Sequence, residues 1–219
     1  MTKKLLILCF LFVVFCAQAQ AASLCMPTTK NVQIHVKPMF PDTAINTSLS
    51  IEQLRGLTVK SGSPAPNNHQ TVGFTLASPL VIETALRFRK DSSCTMLEAV
   101  DIVFGIAKAD IYVANKFLDN ACAYQAILTH EQTHVARDKQ FIDEHTRFLQ
   151  NHLYLLLDSL PILPASSAQS AQLEEAISNS MGSLLELLRA RREAWQEPLD
   201  SEEEYAKLQN QCGGAFHQP

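Results

Sequence analysis

The chain lacks the features that mark membrane-spanning and nucleic-acid-binding proteins. Beyond residue 15, no apolar run approaches the roughly 18 residues that span a bilayer, so no stable membrane insertion of the mature protein is expected. The formal net charge is −4, and the 18 Lys and Arg residues form no basic cluster. No nucleic-acid partner is therefore expected. The sequence also contains no Cys-x-x-Cys pair, which argues against a cysteine-based zinc site.

The first 21 residues have the composition of a secretory signal peptide. Lys3 and Lys4 precede an uninterrupted apolar run over residues 5–15, and the alanines at 17, 19 and 21 then offer small-residue cleavage sites. Because such a segment is removed on export, we predict a secreted or periplasmic protein whose mature chain begins at residue 22. Loss of the two lysines takes its formal charge from −4 to −6.

The cysteines indicate a disulfide framework. Two of the 6 Cys lie in the predicted signal peptide, and the even number that remains in an exported chain favours two disulfides. Cys94 and Cys122 flank a predicted β-hairpin at nearly mirrored positions, so we pair them and leave Cys25 with Cys212. Free or intermolecular thiols are the alternative.

The first half of the chain alternates between apolar and polar residues, as strands with one solvated face do. The last two of these segments read as a hairpin that turns through residues 105–109. We predict an antiparallel sheet of about four to five strands whose apolar face packs on helices. The segments are residues 31–37, 72–76, 82–89, 96–104 and 110–115.

The second half reads as a helical hairpin. Residues 121–160 contain no Gly or Pro and repeat apolar residues at helical spacing, and a second such run covers residues 167–196. The predicted fold class is therefore α+β. We expect one domain over residues 22–219, mainly β in 22–119 and helical in 120–219.

The sequence Thr-His-Glu-Gln-Thr-His-Val over residues 129–135 lies inside the first predicted helix. His130 and His134 are separated by about 40° around the helix and about 6 Å along it, so both imidazoles can reach one ion. In such His-Glu-x-x-His sites the Glu takes a proton from a zinc-bound water. We predict a catalytic Zn²⁺ site with Glu131 as general base. The alternative is a solvated helix face.

A catalytic zinc ion needs a third protein ligand. Along a straight helix Asp138 lies about 12 Å from His130, too far to share one ion. An antiparallel return of the second helix draws level with His134 near position 192. Glu193 is the preferred ligand there. Glu197 is the alternative and Glu186 is less well placed.

Hydrolysis of a carbonyl compound also needs a donor that stabilises the developing negative charge. His145, Tyr124 and Tyr205 are candidates that the sequence does not separate. If the predicted strand over residues 110–115 is a sheet edge, an extended chain could pair with its backbone. That possibility favours a peptide or protein substrate.

The His-Glu-x-x-His sequence and the preceding strand resemble those of the zincin metallopeptidases, specifically the gluzincin-like branch, in which a downstream Glu is the third ligand. The resemblance implies that His130 and His134 bind zinc and that Glu131 is the base. The sequence context that surrounds the third ligand in gluzincins is absent at Glu193.

Further segments are similar to an uncharacterised family of bacterial secreted proteins predicted to be zinc-dependent proteases. They are residues 111–114 (Ile-Tyr-Val-Ala), 122–124 (Cys-Ala-Tyr), 130–135, and 199–205 (Leu-Asp-Ser-Glu-Glu-Glu-Tyr). This resemblance implies the fold and the metal-dependent activity of that family over most of the mature chain.

The sequence as a whole thus predicts an exported zinc-dependent hydrolase, first of all a metallopeptidase. One alternative is a non-enzymatic binding or scaffold protein of the cell envelope, in which the helical hairpin meets a partner. Another is an amidase that acts on cell-wall peptides and shares the zinc chemistry. The sequence does not indicate the oligomeric state.

Overall fold

A computed structural model of the chain describes residues 32–61, 70–91, 94–159 and 167–217. The predicted signal peptide and Cys25 lie outside the described residues. The described strands are β1 (Gln33–Met39), β2 (Ala44–Asn46), β3 (Gly73–Ala77), β4 (Val81–Asp91), β5 (Cys94–Gly105) and β6 (Ala109–Val113). The described α-helices are α1 (Ile51–Ser61), α2 (Ala121–Ser159), α3 (Ser167–Gln196) and α4 (Glu202–Asn210).

The strands form two small sheets, so the fold is α+β but the prediction of one antiparallel sheet of four to five strands is wrong. One sheet has the order β1-β5-β4 and the other has the order β2-β6-β3. In the second sheet β2 runs parallel to β6, whereas β3 runs antiparallel to it. The short strand β2 has no alternating apolar pattern and was not predicted.

The predicted hairpin of β5 with β6 does not form, because the two strands belong to different sheets. The chain leaves β5 at Gly105, whose φ of 154° is rarely adopted by other residues. A Cβ at this position would collide with the main-chain oxygen of Met39. That oxygen accepts a hydrogen bond from the Ile106 amide at 3.1 Å, so the ends of β1 and β5 are in contact where the chain leaves the first sheet.

Local side-chain hydrogen bonds cap the starts of α1, α2 and α4. Asn120 Oδ1 accepts from the Ala123 amide at 3.0 Å and caps α2. The Ser50 amide donates to Gln53 Oε1 at 2.9 Å while Ser50 Oγ accepts from the Gln53 amide at 3.3 Å, which is the reciprocal capping box. Ser201 Oγ accepts from the Glu204 amide at 3.3 Å and caps α4, while the Glu204 carboxylate accepts from Lys207.

The described residues divide into two compact units. The first contains residues 32–35, 84–91, 94–102, 150–159 and 167–180. Within it, the carboxylate of Asp101 is hydrogen-bonded to His35 Nδ1 at 2.8 Å and accepts a hydrogen bond from Arg87 Nε at 2.7 Å. Buried aliphatic residues such as Ile34, Val100 and Leu153 form its apolar interior.

The second unit contains residues 36–61, 70–83, 103–149 and 181–217. It includes the β2-β6-β3 sheet, the first part of α2 and the last part of α3. Its core packs the sheet against α1 and α2 through Leu54, Ile111, Val113, Ala114, Phe117, Ala123, Ile127 and Leu128. The expectation of a single domain over residues 22–219 stays a prediction.

A disulfide joins Cys122, in the first turn of α2, to Cys212, just after α4. Because a sulfur atom forms one disulfide, the predicted pairs Cys94–Cys122 and Cys25–Cys212 are both wrong in this structure. The pairing of Cys94 with Cys122 depended on the hairpin that does not form. The bond fixes the C-terminal segment 211–217 beside the start of α2, where the rings of Phe216 and Phe117 lie 5.5 Å apart.

Replacement of both Cys122 and Cys212 by Ser is expected to lower the free energy of unfolding by about 2–5 kcal/mol. The bond closes a loop of 90 residues, and a long loop constrains the unfolded chain strongly. Urea unfolding of the oxidised protein measures the effect. A Cys94→Ser variant is the control for the pairing, since peptide mapping should still recover the Cys122–Cys212 cross-link. A cross-link between Cys94 and Cys122 in the wild type would contradict the structure.

None of the helices in the described ranges is both long enough and apolar enough to cross a membrane.

Candidate metal centre

Two histidines of α2 direct their Nε2 atoms at one location. His130 Nε2 and His134 Nε2 lie 3.3 Å apart, with the two rings nearly perpendicular. Both side chains are largely buried, with 15% and 12% of their surface exposed. The expectation that residues one turn apart on this helix converge is met.

A carboxylate completes the cluster from the other side. Pro198 follows α3, and the chain makes a short 3₁₀ turn over Glu197–Asp200. This turn places Asp200 Oδ1 3.2 Å from His134 Nε2 and 3.6 Å from His130 Nε2. Within the described part of the chain, these three residues are the one group of His, Cys, Asp or Glu side chains close enough to hold a metal ion together.

The donor set fits a small, tetrahedrally coordinated cation. Nitrogen and oxygen ligands about 2.0–2.1 Å from a tetrahedral ion lie about 3.3 Å from one another. The three donor separations in the cluster, 3.2, 3.3 and 3.6 Å, are close to that value. Two imidazoles with one carboxylate suit zinc, whereas Ca²⁺ takes roughly six to eight oxygen ligands at longer distances.

The structure does not bring Glu193 into this cluster. Glu193 is exposed and lines the same cavity, and Glu197 is also exposed. The helix pairing explains the difference, because Gln196 rather than position 192 lies level with His134. The return register is thus one helical turn beyond the predicted one. Glu186 pairs with Arg189 instead, at 2.8 Å.

Glu131 lies beside the histidines but is not a member of the donor cluster. Only 6% of the residue is exposed, and the Thr75 hydroxyl lies 2.7 Å from its Oε2 atom. Burial raises the pKa of Glu131, and the nearby imidazoles and the Thr75 hydrogen bond offset this only in part. A carboxylate with an elevated pKa is better matched to accept a proton near neutral pH.

The strand β3 approaches this carboxylate closely because residue 73 is a glycine. Gly73 and Thr75 lie on the same face of β3, since side chains alternate along a strand. A Cβ on Gly73 would lie 2.7 Å from Glu131 Oε1 and would collide with the Ile127 side chain. Gly73 therefore allows the sheet edge to run directly along the candidate site.

His134 and Asp200 shift each other's pKa values. Burial disfavours the imidazolium form of His134, but the hydrogen bond and negative charge of Asp200, together with Glu131 and Gln196, outweigh burial and raise the pKa of His134. Burial also acts against ionised Asp200, yet its bonds to the two histidines hold the pKa of that carboxyl well below its usual range. A proton on His134 Nε2 and a cation would occupy the same position, so metal binding would release that proton.

Tyr205, of the three candidate charge-stabilising donors, is the one that reaches the site. Its hydroxyl lies 3.3 Å from Asp200 Oδ1. Burial and the negative charges of Asp200 and Glu131 raise the pKa of Tyr205 far above its ordinary value, so the hydroxyl keeps its proton. His145 instead lies 2.8 Å from the Phe141 main-chain oxygen, and Tyr124 packs against the core.

A cavity of about 350 Å³ opens onto the cluster, a size that accommodates a small ligand or a single side chain. Its walls include Val72 and Phe74 on the sheet side, Leu208 from α4, and the cluster residues themselves. The cluster, the buried carboxylate and the tyrosine hydroxyl thus face one common space.

Sequence reasoning missed Asp200, Thr75 and Gly73. Asp200 lies in the segment 199–205 that carried the family resemblance, two residues after a helix-ending proline, and this was the available signal. Nothing local to Thr75 or Gly73 indicates that β3 passes beside Glu131. Outside the site, His152 Nε2 lies 3.1 Å from Ser180 Oγ.

Comparison of the chain with protein-family models, with curated proteins and with solved structures found no match.

Proposed function

We propose that this protein is an exported zinc-dependent hydrolase of the zincin type that cleaves peptide bonds. The observation that carries the proposal is the convergence of two imidazoles and one carboxylate at tetrahedral spacing, beside a buried glutamate and facing a cavity. His130, His134 and Asp200 would hold the ion. A zinc ion held by three protein ligands supplies a Lewis acid that polarises a carbonyl group and makes water more acidic.

Glu131 is the general base in this proposal. The Thr75 hydroxyl donates a hydrogen bond to Glu131 Oε2 and so orients the carboxylate. The other oxygen, Oε1, lies beside Gly73 and is the one that would accept a proton from water. Glu131 takes this proton from the attacking water and later gives it to the leaving nitrogen. Burial supports both steps, because it narrows the free-energy difference between the two protonation states of the carboxyl near neutral pH.

Tyr205 is the proposed donor to the developing oxyanion. A hydroxyl that stays protonated and is already turned toward the cluster can bind the carbonyl oxygen as negative charge grows there. His145 and Tyr124 make other contacts, which removes the two competing candidates.

The edge strand β3 supports a peptide substrate. The predicted substrate strand, residues 110–115, corresponds to β6, which is the central strand of its sheet and offers no open edge. β3 instead lies at the edge of the described sheet and passes Glu131 at Gly73 and Thr75. An extended peptide that adds to this edge would place its carbonyl groups along the site.

Export is part of the proposal. It rests on the signal-peptide composition of residues 1–21 and on the Cys122–Cys212 disulfide, since such bonds persist in oxidising compartments.

Metal removal and restoration test the proposal. The oxidised mature protein is expected to contain one zinc ion, to cleave unfolded polypeptides, to lose cleavage with a chelator and to regain it with added Zn²⁺. Newly formed amino groups and mass spectrometry of the fragments measure the reaction. Cleavage of cell-wall peptides alone would assign the amidase activity instead. A protein that binds no zinc would favour the scaffold function and overturn the proposal.

A further inference from the structure

A group of polar side chains that line the same cavity is linked to His134 through Nδ1, the ring nitrogen that does not face His130 and Asp200. Asp138 is one turn further along α2, while Arg192 and Gln196 are one turn apart on α3. Arg192 donates to both carboxylate oxygens of Asp138, from Nε at 2.7 Å and from Nη2 at 2.6 Å. Asp138 is only 2% exposed, so this ion pair is an internal part of the helix interface.

Gln196 joins this ion pair to the cluster. Its Nε2 atom donates to Asp138 Oδ1 at 2.7 Å and to the His134 main-chain oxygen at 3.1 Å, and its Oε1 atom lies 2.9 Å from His134 Nδ1. The amide orientation follows from these partners. A carboxylate paired with Arg192 and a carbonyl oxygen can only accept hydrogen bonds, so both must face the NH₂ group.

This orientation selects one state of the His134 ring. Because Gln196 presents an oxygen to Nδ1, the imidazole must carry its hydrogen on Nδ1. In the neutral ring Nε2 then keeps its lone pair, and Nε2 is the atom that faces His130 and Asp200. Partners that hold the second nitrogen of a metal-binding histidine fix both its tautomer and its direction.

The end of α3 is itself anchored, which keeps Gln196 in place. Arg137 Nη1 donates to the Trp195 main-chain oxygen at 2.6 Å, one of the last carbonyl groups of α3 that lack a partner within the helix. The Arg192–Asp138 pair, one turn earlier, fixes the same end of the helix laterally.

We propose that Gln196 is a positioning residue for metal binding, and that the Arg192–Asp138 ion pair acts through it to present His134 Nε2 as a ligand. The inference rests on the proposed function only in assuming that the His130, His134 and Asp200 cluster binds zinc. Gln196 lines the cavity but is not a member of the donor cluster.

Zinc affinity of the oxidised protein, measured by competition with a chromophoric chelator, tests this role. Gln196→Met keeps the length of the side chain but removes its hydrogen bonds, and should weaken zinc binding about 10–100-fold, the usual cost of losing such a partner. Gln140→Ala is the matched control, because Gln140 is exposed on α2 and bonds to Glu144. It should bind zinc as the wild type does.

The hydrogen position on the His134 ring separates positioning from general stability. Zinc-loaded wild type should show a protected His134 Nδ1–H resonance by NMR, because Gln196 Oε1 accepts from this nitrogen. Folded Gln196→Met should lose that protection, whereas Gln140→Ala should keep it.

The outcomes are distinguishable. If the wild type binds no zinc, the proposed function fails and the role of Gln196 fails with it. If the wild type binds zinc and folded Gln196→Met binds it equally well, the positioning role alone is overturned. The same conclusion follows if folded Gln196→Met keeps the protected His134 Nδ1–H resonance. Should Gln196→Met not fold, the wild type decides, since zinc bound through His134 Nδ1 instead of Nε2 would overturn the role.

Discussion

Replacement of Glu131 by Gln is expected to reduce turnover on the order of 10²–10⁴-fold, the range typical of a lost general base, while zinc content stays unchanged. Gln has the same size and can still accept the Thr75 hydrogen bond at its amide oxygen. It cannot take a proton from the attacking water at neutral pH. Because Glu131 is not part of the donor cluster, the ion should remain bound. Peptide cleavage and metal analysis of the same preparation measure both effects.

A matched control for this variant is Glu144→Gln, which makes the same chemical change at an exposed position of the same helix. It should keep full turnover. Unchanged turnover in Glu131→Gln would remove the base from the mechanism. Loss of zinc together with turnover would instead mean that Glu131 is a ligand, and the assignment of Asp200 would have to be reconsidered.

Replacement of Asp200 by Ala is expected to weaken zinc binding by more than about 100-fold. Loss of a residue that only hydrogen-bonds to a ligand costs up to that factor, whereas this variant loses a direct ligand. The metal-free protein should also lose stability, because the bonds of Asp200 to the two histidines hold the pKa of its carboxyl low in the folded state. Chelator competition gives the affinity and thermal unfolding of the metal-free protein gives the stability. Activity should fall in proportion to zinc occupancy.

Glu193→Ala is the decisive comparison, because it removes the same charge from the wall of the same cavity. From the structure we expect this variant to bind zinc as tightly as the wild type does. If Glu193 were the third ligand, as the sequence predicts, the variant would lose zinc affinity. If Glu193→Ala loses zinc and Asp200→Ala keeps it, then α3 packs against α2 one turn away from the pairing seen in the structure.

The helix pairing shows why the third ligand could not be found by periodicity. Apolar spacing shows which faces of α2 and α3 are buried, but that pattern repeats at every turn, so a slip of four residues leaves it intact. The observed contacts match His134 with Gln196 and Asp138 with Arg192, one turn beyond the predicted register. Long-range polar pairs, not the local pattern, decide between these registers.

The predictions of the sheet and of the disulfides were wrong for a related reason. Each strand from β3 to β6 is indicated by its own alternation, but alternation does not specify the neighbour in the sheet. At Gly105, where the chain leaves the first sheet, the close approach of Met39, 66 residues earlier, leaves no room for a Cβ. The predicted pairing of Cys94 with Cys122 rests on the β5–β6 hairpin, so it is wrong together with that hairpin.

The sequence alone determined the parts of this protein that depend on neighbours within one or two turns of chain. These are the long helix without Gly or Pro and the convergence of His130 and His134 on one face of it. Tertiary structure alone decided which carboxylate joins the histidines, which strand runs beside Glu131, and which cysteines are bonded. The physical reason is that helical and strand periodicities fix the direction of a side chain, whereas the distance between remote side chains depends on how whole elements pack.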